Sequence, residues 1–170
     1  MKKILTLFIV MFLITGCAFV KLNIAKRPIK LDKPIETIAL MPSGGIAADS
    51  IGIEMLNYGY NIVDTATTTS HMTRVNMTEV EYSSPQNLRK LNSEGVDSIM
   101  IVKSVQGYDG NPNSITCRII LTSNGQLLVG ATWTNGGGGM QGSIADRMHR
   151  DGLSDATQDI AKGLAKALKN

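Results

Sequence analysis

The sequence predicts a mixed α/β domain in which helices flank a sheet, and three patterns carry this prediction. Two short apolar runs, residues 37–41 and 60–63, lie on either side of a stretch with helical spacing, which predicts a β-α-β unit with parallel strands. Alternating apolar residues over 114–134 predict an antiparallel hairpin. An amphipathic stretch over 153–168 predicts a C-terminal helix.

The β-α-β unit comes first. Residues 37–41 are continuously apolar and stop at Pro42, a pattern typical of a strand buried on both faces. Residues 46–58 have helical spacing, Gly59 is placed to end the helix, and residues 60–63 form the second strand. The predicted inward face of the helix consists of Ala48, Ile51, Met55 and Tyr58. The next stretch, 65–80, is rich in Thr, Met and Asn and is compatible with helix or loop.

A second helix and a third strand follow. Ser84 is the expected cap of a short helix that has Pro85 in its first turn and ends at Gly95. Leu88 and Leu91 are expected to face inward. Residues 98–102 predict a buried strand that continues to about Gly107, before a turn at 109–112.

Two registers are possible for the hairpin that completes a three-strand antiparallel meander. A two-residue turn at Asn124-Gly125 would pair Leu121 with Leu128 and put the two apolar stripes on opposite faces. A three-residue loop over 123–125, with Gly125 left-handed, brings both stripes to one face, and we predict this register. Its pairs are Leu121 with Leu127, Ile119 with Val129, Cys117 with Ala131 and Ile115 with Trp133.

The C-terminal part contains a glycine-rich break over 135–142 and helical patterns over 143–150 and 153–168. The break formally fits G-x-G-x-x-G, but the chain ends before a second β-α-β half could follow, so Gly136–Gly139 is interpreted as a flexible loop or contact surface. In the last helix an apolar stripe faces the core, and a role at a membrane surface is the alternative. That stripe consists of Ile160, Leu164 and Leu168, with Lys162, Lys166 and Lys169 on the solvent side.

The N-terminus has the pattern of a secretory signal. A positive start, Met1–Lys3, precedes an apolar run over 4–14 that is too short to span ~30 Å of hydrocarbon. The run ends in Ile14-Thr15-Gly16-Cys17, which resembles the lipobox of bacterial lipoproteins. We therefore expect residues 1–16 to be a signal peptide, cleavage between Gly16 and Cys17, and a lipid on Cys17.

This lipid implies a place in the cell. Ala18, rather than Asp, follows the cysteine, which in enteric-type bacteria favours the periplasmic face of the outer membrane. Residues 17–34 are interpreted as a positively charged, lipidated tether that extends at most ~60 Å, with attraction to anionic lipid as a sharper alternative. Residues 35–170 are expected to form one α/β domain.

Composition excludes several function classes. The net charge is +3, and removal of Lys2 and Lys3 leaves about +1, which disfavours nucleic-acid binding. Cys117 has no partner in the chain once Cys17 carries lipid, so it is expected in the core, with a reactive or intermolecular thiol as the alternative. His71 and His149 lack ligand spacing, and the local cluster of Asp146, His149 and Asp151 is expected to be solvated. We predict no catalytic residue, no cofactor, no metal and no enzymatic activity; an enzyme is the third hypothesis, which a deep pocket with convergent carboxylates or His149 would favour.

Four segments carry a resemblance to a known group. These are residues 37–42, 58–64, 95–101 and 124–128 with Trp133, which resemble successive strands of CsgG-type outer-membrane lipoproteins and their shorter LpoB-like and PelC-like relatives. The resemblance covers roughly residues 35–134. It implies an adaptor or accessory-ring role and a homo-oligomer, although the chain is too short for the long hairpins of a pore.

Together these observations predict a membrane-anchored periplasmic lipoprotein that acts without catalysis as an accessory or assembly factor in a cell-envelope or export complex, with an envelope protein as partner. The alternative is an LpoB-like regulator that binds a periplasmic or inner-membrane enzyme. A tether of about 17 residues disfavours such a regulator, because crossing the periplasm requires a longer one.

Overall fold

A six-stranded mixed sheet organises the computed structural model, which describes residues 21–31, 33–136, 140 and 142–169. The strand order is β1-β6-β5-β4-β2-β3. Strand β2 runs parallel to β3 and β4, and the remaining pairs are antiparallel. The strands are β1 (Lys21–Lys26), β2 (Thr37–Leu40), β3 (Asn61–Val63), β4 (Ser98–Gln106), β5 (Pro112–Leu121) and β6 (Leu127–Thr134). The predicted fold class is confirmed, including the β-α-β start and the three-strand meander.

Helices pack on both faces of this sheet. They are α1 (Gly45–Leu56), α2 (Thr65–Arg74), α3 (Pro85–Ser93), α4 (Ile144–Met148) and α5 (Leu153–Lys169), with 3₁₀ turns at Pro42–Gly44 and Glu79–Ser83. The stretch at 65–80 that sequence left open thus contains α2, whose start is capped by the Asp64 carboxylate accepting from the Thr67 N–H at 2.8 Å. None of the helices in the described ranges combines the length and the apolar character needed to cross a bilayer.

The two faces of the sheet bury two separate cores. On one face α1 and α5 pack against all three meander strands, around the fully buried Trp133. On the other face α2 and α3 cover only the region of β2 and β4, around Ile99 and Ile101. This explains the sequence patterns: β2 and the first half of β4 are continuously apolar because both faces are covered, whereas β5 and β6 alternate.

In the hairpin between β5 and β6 the two apolar stripes share one face, as predicted, but the pairing next to the loop differs from the prediction. Three predicted pairs are confirmed: Ile119 with Val129, Cys117 with Ala131 and Ile115 with Trp133. The pairing of Leu121 with Leu127 was wrong, because the register shifts by one residue and Ile120 pairs with Leu127. The extra residue in β6, Leu128, takes the buried place and leaves Leu127 42% exposed. Gly125 is left-handed, with φ +74°, as predicted.

The tether prediction was wrong for residues 21–26, which form the edge strand β1. Leu22 pairs with Trp133 and Ile24 with Ala131, and both side chains pack on the first core. Gly163 of α5 permits this, since a Cβ there would lie 2.9 Å from Ile24 Cδ1. Leu22 and Ile24 are two positions apart, as residues on one face of a strand are, but the surrounding cations and prolines favoured the interpretation of this segment as a spacer.

The cap of α3 also differs from expectation. Ser84 is at the N-cap position, yet its side chain makes no capping hydrogen bond. The N–H groups of Asn87 and Leu88 instead donate to the Ser84 backbone carbonyl, both at 3.1 Å. The predicted inward residues Leu88 and Leu91 are both buried.

Candidate interaction surface

Three loops lie together at one end of the sheet. Lys21 pairs with Thr134, Ser114 pairs with the same residue, and Gln106 pairs with Pro112. The start of β1 therefore lies beside the end of β6, the start of β5 and the end of β4. Because β2 runs parallel to β4, the turn that leads into α1 lies at this end too. We call it the loop end; its described parts are Lys21, 41–46, 107–111, 135–136, 140 and 142–152.

Five large apolar side chains are exposed at the loop end, each between 45% and 85%. We call them the apolar rim: Ile46, Tyr108, Met140, Ile144 and Met148. Ile144 and Met148 are one turn apart and share a face of α4. Ile46 lies by the β4–β5 turn, where it lines a cleft with Gly110 and Pro112. Single exposed apolar residues are ordinary, but a group contributed by three loops is a candidate interaction site.

A buried carboxylate ties Tyr108 to the segment that carries α4. Asp146 is 3% exposed and accepts hydrogen bonds from the Tyr108 hydroxyl at 2.7 Å and from the Gly142 N–H at 2.9 Å. These two bonds hold the pKa of Asp146 below its ordinary value. The expectation that Asp146 is solvated was therefore wrong, because Tyr108, 38 residues away, closes over it.

Arg150 extends this arrangement. Its guanidinium stacks on the Tyr108 ring, with Cζ 5.1 Å from the ring centroid. Its Nε donates to Asp109 at 2.8 Å and its Nη2 donates to Asn113 at 2.7 Å. We call Tyr108, Asp109, Asp146 and Arg150 the clamp. It fixes the β4–β5 loop to the segment that carries α4, so internal hydrogen bonds set the position of Tyr108 relative to Ile144 and Met148.

A second buried carboxylate lies at the opposite end of the sheet. Asp97 accepts from the N–H groups of Glu36 and Thr37, both at 3.0 Å, and from Lys33 Nζ at 2.6 Å. Burial opposes ionisation of Asp97, but the hydrogen bonds from Lys33 and the two backbone groups outweigh it, so its pKa lies below the ordinary value. Asp97 thus pins the chain that joins β1 to β2, which is a structural task.

The other residues that sequence singled out do not assemble into a reaction site. Cys117 is fully buried, and burial raises its pKa to about 12. His71 lies beside Arg74 and Glu94, and His149 contacts the Ala145 carbonyl. Across the described ranges, no three His, Cys, Asp or Glu residues converge as metal ligands.

Two predicted features fall outside the described residues. They are the cleavage and lipidation site at Gly16 and Cys17, and the centre of the glycine loop at 137–139. The clamp, in contrast, was missed by sequence reasoning, because its partners come from loops 38 and 41 residues apart. The one local sign was the sequence Ser143 to Asp146, where the Ser143 hydroxyl caps α4 by accepting from the Asp146 N–H.

Comparison with solved structures identifies the fold. Two crystal forms of the PelC dodecamer from Paraburkholderia phytofirmans superpose on the chain with TM-scores of 0.52 and 0.51, at 16% and 17% sequence identity. The matches cover 89% and 88% of this chain and 100% and 98% of PelC. This chain has the PelC fold.

A further match is weaker. Lipoprotein GNA1162 from Neisseria meningitidis has a TM-score of 0.46 and 17% identity, over 75% of this chain and 98% of that protein. No protein-family model matches the sequence, and a search of curated proteins found no significant match. The likeness to PelC thus rests on three-dimensional structure and agrees with the resemblance that the strand motifs carry.

Proposed function

We propose that this chain is a lipid-anchored protein of the cell envelope that acts without catalysis, as an accessory or assembly component of an envelope or export complex. The observation that carries the proposal is that the start of β1, which leads back to Cys17, and the apolar rim lie at the same end of the domain. Strand β1 begins there at Lys21, four residues after Cys17, and the apolar rim lies at the same end. A lipid on Cys17 would therefore hold the proposed interaction surface against a membrane.

The proposed organisation follows from the position of β1. Residues 1–16 are the signal peptide, Cys17 carries the lipid, and the folded domain includes residues 21–26 as well as the part of the chain from residue 35. The four residue steps from Cys17 to Lys21 span at most ~14 Å. Ala18 supports the periplasmic face of the outer membrane as the destination.

This short connection weighs against the alternative, a regulator that reaches an inner-membrane enzyme. Once residues 21–26 belong to the sheet, the domain stays within ~14 Å of its anchor instead of the ~60 Å that a free tether would allow. A partner at or near the same membrane fits this geometry better.

An oligomer of the chain is also part of the proposal. PelC, which has this fold, is a dodecamer, and this supports self-association as the form in which the chain acts. A surface suited to such a contact is the outer side of α1, where Ile53 and Leu56 are exposed. Beside them, a groove between α1 and the start of α5 is lined by Ile53, Glu54 and Leu153.

Site-specific photo-cross-linking of the full chain in intact cells tests the proposal. A photoreactive residue replaces Ile53, and a matched control replaces Lys162 on the solvent face of α5. We expect Ile53 to capture a second copy or a defined envelope protein in the membrane fraction, and Lys162 to capture much less. A chain that is monomeric and captures nothing from either position would contradict an assembly role. In the same cells Cys17→Ala should abolish membrane recovery.

A further inference from the structure

We propose that Asn124, on the β5–β6 turn, is a self-modifying residue that loses its side-chain amide without an enzyme and becomes a carboxylate. The sequence contains two Asn-Gly dipeptides, Asn124-Gly125 and Asn135-Gly136. Glycine has no Cβ, so its backbone nitrogen meets little steric hindrance when it approaches the side-chain carbonyl of the preceding asparagine. Both dipeptides have the same chemistry, and the folded structure makes their surroundings different.

The modification requires water and no other reactant. The backbone nitrogen of Gly125 attacks Cγ of Asn124, and a new C–N bond forms while the N–H proton passes to solvent. The bond from Cγ to Nδ2 then breaks, and the nitrogen leaves as ammonia with a proton from water. Water opens the resulting five-membered succinimide at one of its two carbonyls. Opening at one carbonyl gives aspartate, and opening at the other gives isoaspartate, in which the chain runs through the side-chain carbon.

The turn leaves the Asn124 amide accessible to this attack. The side chain is exposed, and its Nδ2 donates to no residue in the part of the chain that the structure describes, so the leaving nitrogen is in water. Its Oδ1 accepts a hydrogen bond from the Gln126 N–H at 2.9 Å. As negative charge develops on this oxygen during the attack, the backbone donor already points at it and stabilises it.

Cations lie around the turn. Arg89 Nε donates to the carbonyl of the residue before Asn124 at 3.3 Å, and Lys30 lines the same cleft as Asn124. The Asp97 carboxylate also lines this cleft, but it is paired with Lys33. Positive charge favours both the developing oxyanion and the carboxylate that replaces the neutral amide.

Asn135 is held away from the same reaction. Its side chain is half-buried, and its Nδ2 donates to the carbonyls of Pro112 at 2.8 Å and Asp151 at 3.0 Å. Its Oδ1 accepts from the Asp151 N–H at 3.0 Å. Rotation of Cγ toward the nitrogen of Gly136 would break these bonds, and two of them hold the leaving nitrogen itself. We therefore expect the turn, and not Asn135, to react in the folded chain.

One contact restrains the turn and sets the pace of the reaction. The Gly125 N–H donates to the Leu121 carbonyl at 2.9 Å, and this bond has to open before the nitrogen can attack. The turn lies at the end of the β5–β6 ladder, next to the register shift after Ile119, where local opening costs little free energy. The isoaspartate product adds a carbon atom to the backbone of the loop that holds Gly125 left-handed. Modification is thus slow and one-way, and it alters both the charge and the geometry of the end of the sheet opposite the loop end.

Peptide mapping of the full lipoprotein tests the proposal. The protein is purified from membranes in detergent, incubated at mildly alkaline pH in heavy-oxygen water, and digested in ordinary water, so that only conversion during the incubation carries the label. Chymotryptic cleavage after Trp133 places the two asparagines on different peptides, whose conversion is measured by mass spectrometry. Asn124→Gln, in which the amide lies one carbon further from the backbone, is the matched control and should show no conversion at residue 124.

We expect Asn124 to convert at least tenfold faster than Asn135 in the folded chain, with isoaspartate among the products, and the two rates to agree within twofold in urea. Equal rates in the folded chain would overturn the proposal. A difference that persists in urea would also overturn it, because the local sequence rather than the fold would then set the rates. Aspartate without isoaspartate would contradict the succinimide step.

A second variant tests the surroundings of the turn. Arg89→Gln removes an exposed cation beside Asn124 and should slow its conversion at least twofold while the rate at Asn135 stays the same. An unchanged rate at Asn124 would contradict the contribution of the cations, and an equal change at both asparagines would indicate a general loss of stability instead.

Discussion

Replacing Asp97 by alanine should destabilise the fold by about 3 kcal/mol. The two backbone N–H groups of Glu36 and Thr37 donate to this carboxylate at 3.0 Å, and each such charge-assisted bond contributes ~1.5 kcal/mol. The ion pair with Lys33 adds little, because the Lys33 side chain is 73% exposed and solvent screens its charge. Lys33→Met should therefore destabilise the fold much less than Asp97→Ala does. Asp97→Asn, which retains one oxygen for the backbone donors, should fall between the two.

Urea denaturation of the chain that starts at residue 17, with Cys17→Ala, measures these differences. Trp133 is the one tryptophan in the sequence and is fully buried, so its fluorescence reports unfolding. Substitutions of this size shift the midpoint while leaving the slope with denaturant unchanged. The reasoning is refuted if Asp97→Ala costs less than ~1 kcal/mol, or if Lys33→Met costs as much as Asp97→Ala.

Three further predictions follow from single residues. Because hydrogen bonds hold the pKa of Asp97 below its ordinary value, its contribution to stability is present above about pH 4 and is lost as the pH falls through the lower folded-state pKa. Unfolding free energy measured between about pH 5 and 2 should thus fall less steeply in Asp97→Asn than in the parent, and equal slopes would contradict this. Cys117 should resist a thiol reagent at pH 8 in the folded Cys17→Ala chain and react fully in urea, because burial raises its pKa to about 12; reaction in the folded state would contradict its burial. Gly125→Ala should cost ~1–2 kcal/mol in the same urea assay, since φ is +74° and a Cβ would lie 3.3 Å from Pro85 Cγ. Gly130→Ala is the control, because its Cβ would make only an ordinary contact with the Cys117 carbonyl oxygen at 3.9 Å and its φ is not positive; equal effects of the two substitutions would refute the strain argument.

Much of the fold could be predicted because burial leaves a periodic trace in sequence. Strands β2 and β4 are apolar without interruption where helices cover both faces, and β5 alternates because only one face is covered. The hairpin register followed from the requirement that both apolar stripes share one face.

The structure differs from the sequence predictions at places with local causes, which a periodic pattern of apolar residues does not show. Strand β1 is recognisable only from Leu22 and Ile24, because its other positions are polar, charged or small and its edge position demands little burial. The bulge at Leu128 inserts a residue that a regular ladder does not anticipate. The clamp depends on Tyr108 meeting Asp146 and on Asp109 meeting Arg150, contacts created when the meander brings the two loops to one end.

The proposed site likewise has one part that the linear sequence reveals and one part that only the folded chain reveals. Cys17 stands out in the sequence because signal and lipobox are linear patterns, whereas the apolar rim emerges only when three loops are assembled. Isolated in sequence, Tyr108, Met140 and Met148 are ordinary residues. The fold brings all three to the loop end, where β1 also begins.

Metabolic labelling with radioactive palmitate, followed by separation of membranes, tests the central claim most directly. The account predicts that the full chain carries label and is recovered with the outer membrane, and that Cys17→Ala carries none. Label that survives Cys17→Ala, or an intact Cys17 chain recovered free in the periplasm, would contradict the anchor on which the proposed role of the loop end depends.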